Sequence, residues 1–398
     1  MSTCDDGAVA ATLTYEALEA AGVAAGLDAV GACGAEVFPD TRQVLEARRS
    51  AGLAGSMQFT YRNPARATDP SATMPGARTL VVGAASYQRD PPPRPLEAGP
   101  VARVARYVWG DDTERLLGGL EAVGTVLRGA GHRACVLSDQ NNLVDRAAAH
   151  RAGLGWFGKN ANLLLPGHGS WFLLGAVLTD AGPEHIAGLP APAPVADGCG
   201  SCDRCIPACP TGAIVAPGVV DARRCLSWTL QATGTFPRDQ REVLGDRIYG
   251  CDDCQEVCPP NRLEVRRAAP SGRGPGVPVG DPDRAWVPVL DLLASTDEVL
   301  LARHGRWYIA RRDPSHLRRN ALVVLGNVGD GTHPAVRDAL RDALVHPVAL
   351  VRAHAVWACR RLGCDDLLAV VADDPDPAVR DELVAPVTPR LAASRRAS

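Results

Sequence analysis

Two runs of cysteine hold the chemistry that this chain can do. The first is Cys199-Gly-Ser-Cys202-Asp-Arg-Cys205-Ile-Pro-Ala-Cys209-Pro210, and the second is Cys251-Asp-Asp-Cys254-Gln-Glu-Val-Cys258-Pro259. Three cysteines two residues apart, then a fourth after three residues and a proline, is the ferredoxin spacing for [4Fe–4S] binding. A tight turn brings three thiolates round one face of a cubane, and the fourth points toward a second cluster. With Cys225 between them, the two runs supply eight thiolates, enough for two cubanes. Paired CxxC units close a zinc site, and neither that pattern nor a disulfide framework explains these runs.

Other candidates lie upstream. Asp139 follows a strand expected over Ala134–Ser138, at the carboxyl end where α/β sheets hold ligands. Its bland alternative is to cap the helix expected from Leu143 to Gly153. The segments Ala152-Gly-Leu-Gly155-Trp-Phe-Gly158-Lys159-Asn160 and Gly169-Ser-Trp171-Phe-Leu-Leu-Gly175 are glycine-rich, as a backbone approaching a bulky ligand would be. Lys159 is the only lysine, either a ligand contact or a solvated loop charge. Arg303, Arg306, Arg311, Arg312, Arg318 and Arg319 crowd one stretch with Trp307 and Tyr308. Basic and aromatic residues interleaved suit single-stranded nucleic acid or an RNA loop, and a solvated helix face is the alternative.

These residues need elements to position them. Helical spacing runs from Tyr15 to Ala25 and from Arg42 to Ala51, and Leu80-Val-Val-Gly-Ala-Ala reads as a buried strand. Asp90-Pro-Pro-Pro-Arg-Pro is a loop, and a helix is expected to about Gly131 before the strand that precedes Asp139. Alternating strands and helices predict an α/β domain with a central mixed sheet over residues 1–188. Leu189-Pro-Ala-Pro-Ala-Pro194 leads into a ferredoxin-like two-cluster insert over 189–265. A Gly, Pro and Arg-rich connector over Ala268–Asp283 then opens the third part, 266–398. There Val336-Arg337-Asp338, Val351-Arg352-Ala353 and Val379-Arg380-Asp381 recur, each after a proline, as in imperfect HEAT-type helical hairpins.

Composition narrows the setting. The 398 residues allow two or three domains, and 46% hydrophobic with 22% charged residues is ordinary for a globular protein. A net charge of −3 gives no global polyanion signal, so any nucleic-acid contact must be local. Thirteen cysteines and a polar, acidic Met1–Gly7 point to a reducing compartment, hence the cytoplasm. No apolar run reaches the length of a membrane span, so no membrane partner is expected.

Together these motifs resemble the epoxyqueuosine reductase family, cobalamin-dependent iron–sulfur enzymes that complete the queuosine base in tRNA. The match is densest in Arg151-Ala-Gly-Leu-Gly-Trp-Phe-Gly-Lys-Asn160, Gly169-Ser-Trp171 and Gly245-Asp-Arg-Ile-Tyr-Gly-Cys-Asp-Asp-Cys-Gln255. The resemblance implies a cobalamin-binding α/β domain, a two-cluster insert and a HEAT-like domain that holds the anticodon stem-loop. It assigns Cys199, Cys202, Cys205 and Cys258 to one cluster, and Cys209, Cys225, Cys251 and Cys254 to the other. Asp139 matches the family's proton donor, and catalysis is thereby favoured over capping. Arg62, Arg106, Leu163, Leu174, Ser227, Asp252 and Asp253 lie in segments similar to those that line the corrin. Arg306, Arg311, Arg312, Arg318 and Arg319 are the expected tRNA contacts.

Three departures bear on substrate positioning. Gln140-Asn141-Asn142 stands where the family commonly follows its acid with Thr-Gly-Pro, Thr113-Glu114 replaces a Tyr-His pair, and Gln231 replaces a glutamate. The implied reaction takes electrons singly from an external donor through two clusters to cobalamin, on a monomer. It removes the epoxide oxygen of the wobble nucleoside while Asp139 protonates it. A carboxyl does so near neutral pH only when burial raises its pKa. A reductive dehalogenase would share the cofactors but needs no basic helical surface. A ferredoxin-like electron carrier on a HEAT scaffold would need no acid and no ligand crevice.

Overall fold

The computed structural model describes residues 12–95, 99–262 and 278–390. The acidic start at Met1–Gly7, and the expected connector up to residue 277, lie outside the described residues. In chain order the strands are β1 (Ala29–Gly34), β2 (Thr79–Ser86), β3 (Val101–Val104), β4 (Ala134–Ser138), β5 (Trp156–Phe157) and β6 (Leu163–Leu164). Then follow β7 (Phe172–Thr179), β8 (Ile214–Ala216), β9 (Val219–Val220), β10 (Arg247–Tyr249) and β11 (Trp286–Pro288).

The main sheet has the order β1-β2-β7-β4. The expected mixed sheet is instead antiparallel throughout, with Val81 opposite Val177 and Val136 opposite Val177 on its other side. Its strands resemble parallel ones in sequence because both faces are buried, which fills them with continuous apolar runs. Side chains alternate between the faces. Val81 and Val177 meet Leu18, Leu116, Leu120 and Leu127 of the helices Tyr15–Ala24 and Asp112–Gly129. Leu80, Val82 and Leu178 meet Leu143 and Ala148 on the opposite side. The first helix starts where the Thr14 hydroxyl accepts the Ala17 N–H.

A smaller sheet, β10-β3-β11, does mix directions: β10 runs parallel to β3 and β11 antiparallel to it. Each of the three expected segments donates one of its strands. Val104, Ile248 and Val287 share one core with Leu322, Leu340 and Val356 of the C-terminal helices, while the two cores that flank the main sheet lie within the first segment.

Those helices span Ser315–Val328, Pro334–Leu344, Ala349–Leu362 and Pro377–Val384. Pro334 and Pro377 stand in their first turns, where a missing N–H costs nothing. Ser315–Val328 is buried from Ser315 to Gly326 and packs on Ala349–Leu362, making it the central helix of the array. Among the described residues no helix is long and apolar enough to cross a membrane.

Candidate functional site

All twelve described cysteines are unpaired. Cys199, Cys202, Cys205 and Cys258 line one cavity of 170 Å3 together with Lys159 and Arg204. The turn at Cys199 is closed by the Cys202 N–H on the Cys199 carbonyl at 2.9 Å, and the Cys258 N–H bonds the Gln255 carbonyl at 3.1 Å. The short helices Cys205–Ala208 and Asp253–Glu256 pack on one another, which carries Cys258 across to the first run.

The other four cysteines form an inner set. Burial pushes the Cys254 thiol well up, and Cys251, Cys225 and Cys209 each raise it further. Cys251 is pushed up to about 12, chiefly by burial. Neighbouring thiols are costly as thiolates until a cation offsets their charge. The Ala213 N–H already points at the Cys209 sulfur, 3.1 Å away.

Both sets lie at one end of the main sheet. β2 and β4 are each antiparallel to β7, so their carboxyl ends and the start of β7 point the same way. Just beyond that end the Gln255 amide donates to the Tyr87 hydroxyl and to the Ser170 carbonyl, both at 3.1 Å. The Asn261 amide donates to the Gln255 carbonyl at 2.8 Å, while its oxygen accepts the Ser170 N–H at 2.7 Å. This network binds the second cysteine run to the sheet. It also explains the glycine-rich segments differently from expectation. A Cβ on Gly155 would strike the Leu164 carbonyl, and one on Gly169, at φ 73°, would strike the Asn261 side chain. These two glycines serve close packing of protein on protein, not the cradling of a ligand.

Asp139 adopts φ 50°, a left-handed conformation unusual outside glycine. It is not a cap: the next helix begins at Asp145 behind Val144, which makes no side-chain capping bond. The Asp139 side chain reaches solvent, and the protein atoms crowding it still raise its pKa by desolvation. Asp145 is raised to about 7, first by burial and then by the charge of Asp139. Asp139 also bears on Tyr249, whose hydroxyl oxygen accepts the Tyr308 N–H at 2.7 Å. Backbone strain of this kind collects at functional sites.

The residues expected to line a corrin fall into two groups. Leu163 is buried and Leu174 half-buried in the core that also holds Leu137 and Tyr61, the neighbours of Asp139 and Arg62. Arg62 is exposed at the end of the helix Phe59–Arg62, and Ser227 is half-buried beside Trp228, whose ring meets Phe59 at 5.9 Å. The second group is Arg106, Asp252 and Asp253. The Arg106 guanidinium stacks on Trp171 at 4.7 Å, its Nε is buried without a partner, and its backbone N–H donates to Asp252 at 2.8 Å. Asp253 is engaged by Arg247 at 2.5 Å, and its carboxylate is therefore not free. Arg106, Asp252, Trp109, Trp171 and Cys251 line a larger cavity of 610 Å3, and Asp139 lies outside it.

The arginine patch divides. Arg306, Arg311 and Arg312 are exposed, and the latter two both have φ 56°. Arg318 and Arg319 are not on the surface, contrary to expectation. Arg319 is 1% exposed and donates to the carbonyls of Ala232 and Gly234 at 2.7 Å and of Leu230 at 3.1 Å. Arg318 is 6% exposed, paired with Asp297 at 2.5 Å and bonded to the Ser295 carbonyl at 2.7 Å. The cause is the burial of the whole helix that carries them.

Sequence reasoning missed the aromatic cluster of Phe59, Trp228 and Tyr308, where three distant segments meet. Tyr308 is 45% exposed beside Arg311 and Arg312, and Phe59 has φ 26°. It also missed Asp145, whose only signal was an acidic first turn. Of the departures, Thr113 and Glu114 fall in the first turn of Asp112–Gly129, and the Gln231 amide donates to the Ser227 carbonyl at 3.0 Å.

Comparison with known proteins adds three findings. Residues 198–261 match the family model described as a 4Fe-4S double cluster binding domain. The chain is 35% identical over 348 residues to an epoxyqueuosine reductase from Xanthomonas campestris pv. campestris, covering 85% of this chain and 93% of that relative. The enzyme of the same name from Pseudomonas aeruginosa is 34% identical, with 79% and 85% covered. Among solved structures, an epoxyqueuosine reductase with a tRNA-Tyr epoxyqueuosine-modified tRNA stem loop superposes with a TM-score of 0.80 at 27% identity, covering 92% of this chain and 96% of that one. A Bacillus subtilis epoxyqueuosine reductase, with its catalytic aspartate loop swung out of the active site, gives 0.79 at 27% identity over the same shares.

Proposed function

The chain belongs to the epoxyqueuosine reductase family, and we propose that it reduces epoxyqueuosine to queuosine at the wobble position of tRNA. The observation that carries this reading is the meeting of two four-thiolate sets with one strained, pKa-raised carboxyl at the same end of the sheet. An electron carrier would need the thiolates alone.

Cys199, Cys202, Cys205 and Cys258 would hold the outer [4Fe–4S] cluster, and Cys209, Cys225, Cys251 and Cys254 the inner one. Cobalamin would be held at the sheet end beside the cysteine segment. Leu163 and Leu174 offer an apolar wall there, and Arg62, Ser227 and Asp139 a polar edge. The buried, unpartnered Nε of Arg106 is a donor in want of an acceptor, as an amide-fringed ring would supply. Asp252 holds the Arg106 backbone and lines the larger cavity, and Asp253 holds Arg247. Cobalamin, when bound, supplies a strongly reducing cobalt for removal of the epoxide oxygen.

Asp139 holds the proton that this oxygen takes as it leaves as water. Desolvation raises the pKa of Asp139, and the charge of Asp139 in turn raises that of Asp145. Tyr249 stands within electrostatic reach of Asp139, and its oxygen is held by the Tyr308 N–H. The exposed Tyr308 offers a stacking surface for a base, and Arg306, Arg311 and Arg312 contact the phosphates of the anticodon stem-loop. The helices from Ser315 onward act as HEAT-like repeats that hold the stem. The protein works as a cytoplasmic monomer fed by an external electron donor.

The test is anaerobic turnover of epoxyqueuosine-containing tRNA by protein loaded with both cofactors, read by nucleoside mass spectrometry. Queuosine is expected to appear in place of epoxyqueuosine. Unchanged epoxyqueuosine with both cofactors in place would overturn the reading.

A further inference from the structure

Among 42 lysine and arginine residues, Lys159 is the one lysine, and it stands at the outer cysteine set. Its ammonium donates to the Gly200 carbonyl at 2.8 Å, inside the turn that joins Cys199 to Cys202. A solvated loop charge would have no such fixed partner. The backbone is pinned as well. The Lys159 carbonyl accepts the Gly218 N–H at 2.9 Å, and Gly158 and Ala161 close the turn around it at 2.8 and 2.9 Å. The next residue, Asn160, is 5% exposed and reaches the Cys254 carbonyl of the inner set at 3.4 Å. The loop therefore touches both sets but places its charge at only one of them.

That charge faces the cluster site directly. Lys159 lines the same 170 Å3 cavity as the four outer thiols, and among the described residues no carboxylate pairs with it. Arg204 lines the cavity too, but a guanidinium spreads its charge over a planar fork. A lysine is a compact point charge with rotatable donors. In a chain that uses arginine everywhere else, the difference is one of chemistry at this site.

We propose that Lys159 sets the reduction potential of the outer cluster. The inference rests on the two-cluster reading above. In the step concerned, a [4Fe–4S]2+ cluster accepts one electron from a low-potential one-electron donor and becomes [4Fe–4S]1+. No proton moves and no bond breaks, so the added negative charge stays on the cluster. A fixed positive charge at its edge stabilises the reduced form and raises the potential. The inner set has no lysine beside it.

The experiment is dithionite titration of the full-length, anaerobically reconstituted protein, followed by electron paramagnetic resonance at controlled potential. The outer signal is identified as the one that Cys202→Ser removes. Lys159→Gln is expected to shift the outer midpoint to more negative potential and leave the inner midpoint where it was. Lys159→Arg should fall between wild type and Lys159→Gln, and Arg204→Gln should shift the outer midpoint less than Lys159→Gln. An unchanged outer midpoint in Lys159→Gln, with both clusters assembled, overturns the proposal. So does loss of the outer cluster from Lys159→Gln but not from Lys159→Arg, which would make the residue an assembly element. Wild-type protein that assembles no clusters would remove the two-cluster reading itself, a failure distinct from an unmoved midpoint.

Discussion

The outer and inner cysteine sets use the same four side chains in different surroundings. The outer thiols line a cavity with Lys159 and Arg204, and all four are half-buried. The inner thiols are half-buried too, but they raise one another's pKa, and the protein around them drives Cys254 and Cys251 up. A cluster near the surface can meet a donor, and one buried against the sheet end can pass charge inward without meeting water. Sequence spacing alone places eight thiols; their environments differ.

The largest effect should come from breaking either set. Cys254→Ser and Cys202→Ser are each expected to abolish turnover, but only Cys202→Ser should keep the inner cluster's electron paramagnetic resonance signal. Loss of both signals in Cys202→Ser would mean that the sets do not assemble independently. Next in size is Asp139→Ala, which should end turnover while the absorption spectra of the clusters and of cobalamin stay as in wild type. Turnover that persists in this variant would remove the acid from the site.

The same contrast of exposed and buried runs through the arginines. Arg319→Ala strips a charged donor from several carbonyls in the core and should cost on the order of 3 kcal/mol, seen as a lower Tm. Reversal of Arg311 and Arg312 to glutamate should leave Tm unchanged and weaken stem-loop binding by about tenfold in a gel shift at moderate salt. If Arg319→Ala melted like wild type, the division of the patch would be mistaken.

The smallest effect concerns Asp145. Its folded pKa of about 7 lies above its ordinary value, so the folded state binds the proton more tightly. The stability this lends is complete below about pH 4 and is lost as pH rises through 7. Asp145→Asn should therefore match wild type in Tm at low pH and exceed it by a few degrees at pH 8. Equal pH dependence in the two proteins would show that Asp145 is not held protonated.

Much of this was legible beforehand, for definable reasons. Ala134–Ser138 is a strand as expected, because its pattern depends on neighbours within a few residues. The cysteine sets are equally local in signal. The direction of the sheet was not legible, since an antiparallel sheet covered on both faces looks parallel in composition. Arg318 and Arg319 misled because a basic pair on a helix normally marks solvent, and only tertiary packing made it central. Tyr308 stood out in its basic stretch, but its meeting with Phe59 and Trp228 gave no signal, since it depends on three remote segments.

The small sheet β10-β3-β11 has a consequence for how the protein comes into being. As the nascent chain leaves the ribosome, Val101–Val104 emerges long before either strand that will flank it. Until Pro288 has been made, that strand keeps an open edge, and such edges recruit strands from other molecules. Truncation before Trp286 would make that exposure permanent. Any version that ends before Trp286 should therefore aggregate, even though all eight cysteines of the two sets are present in it.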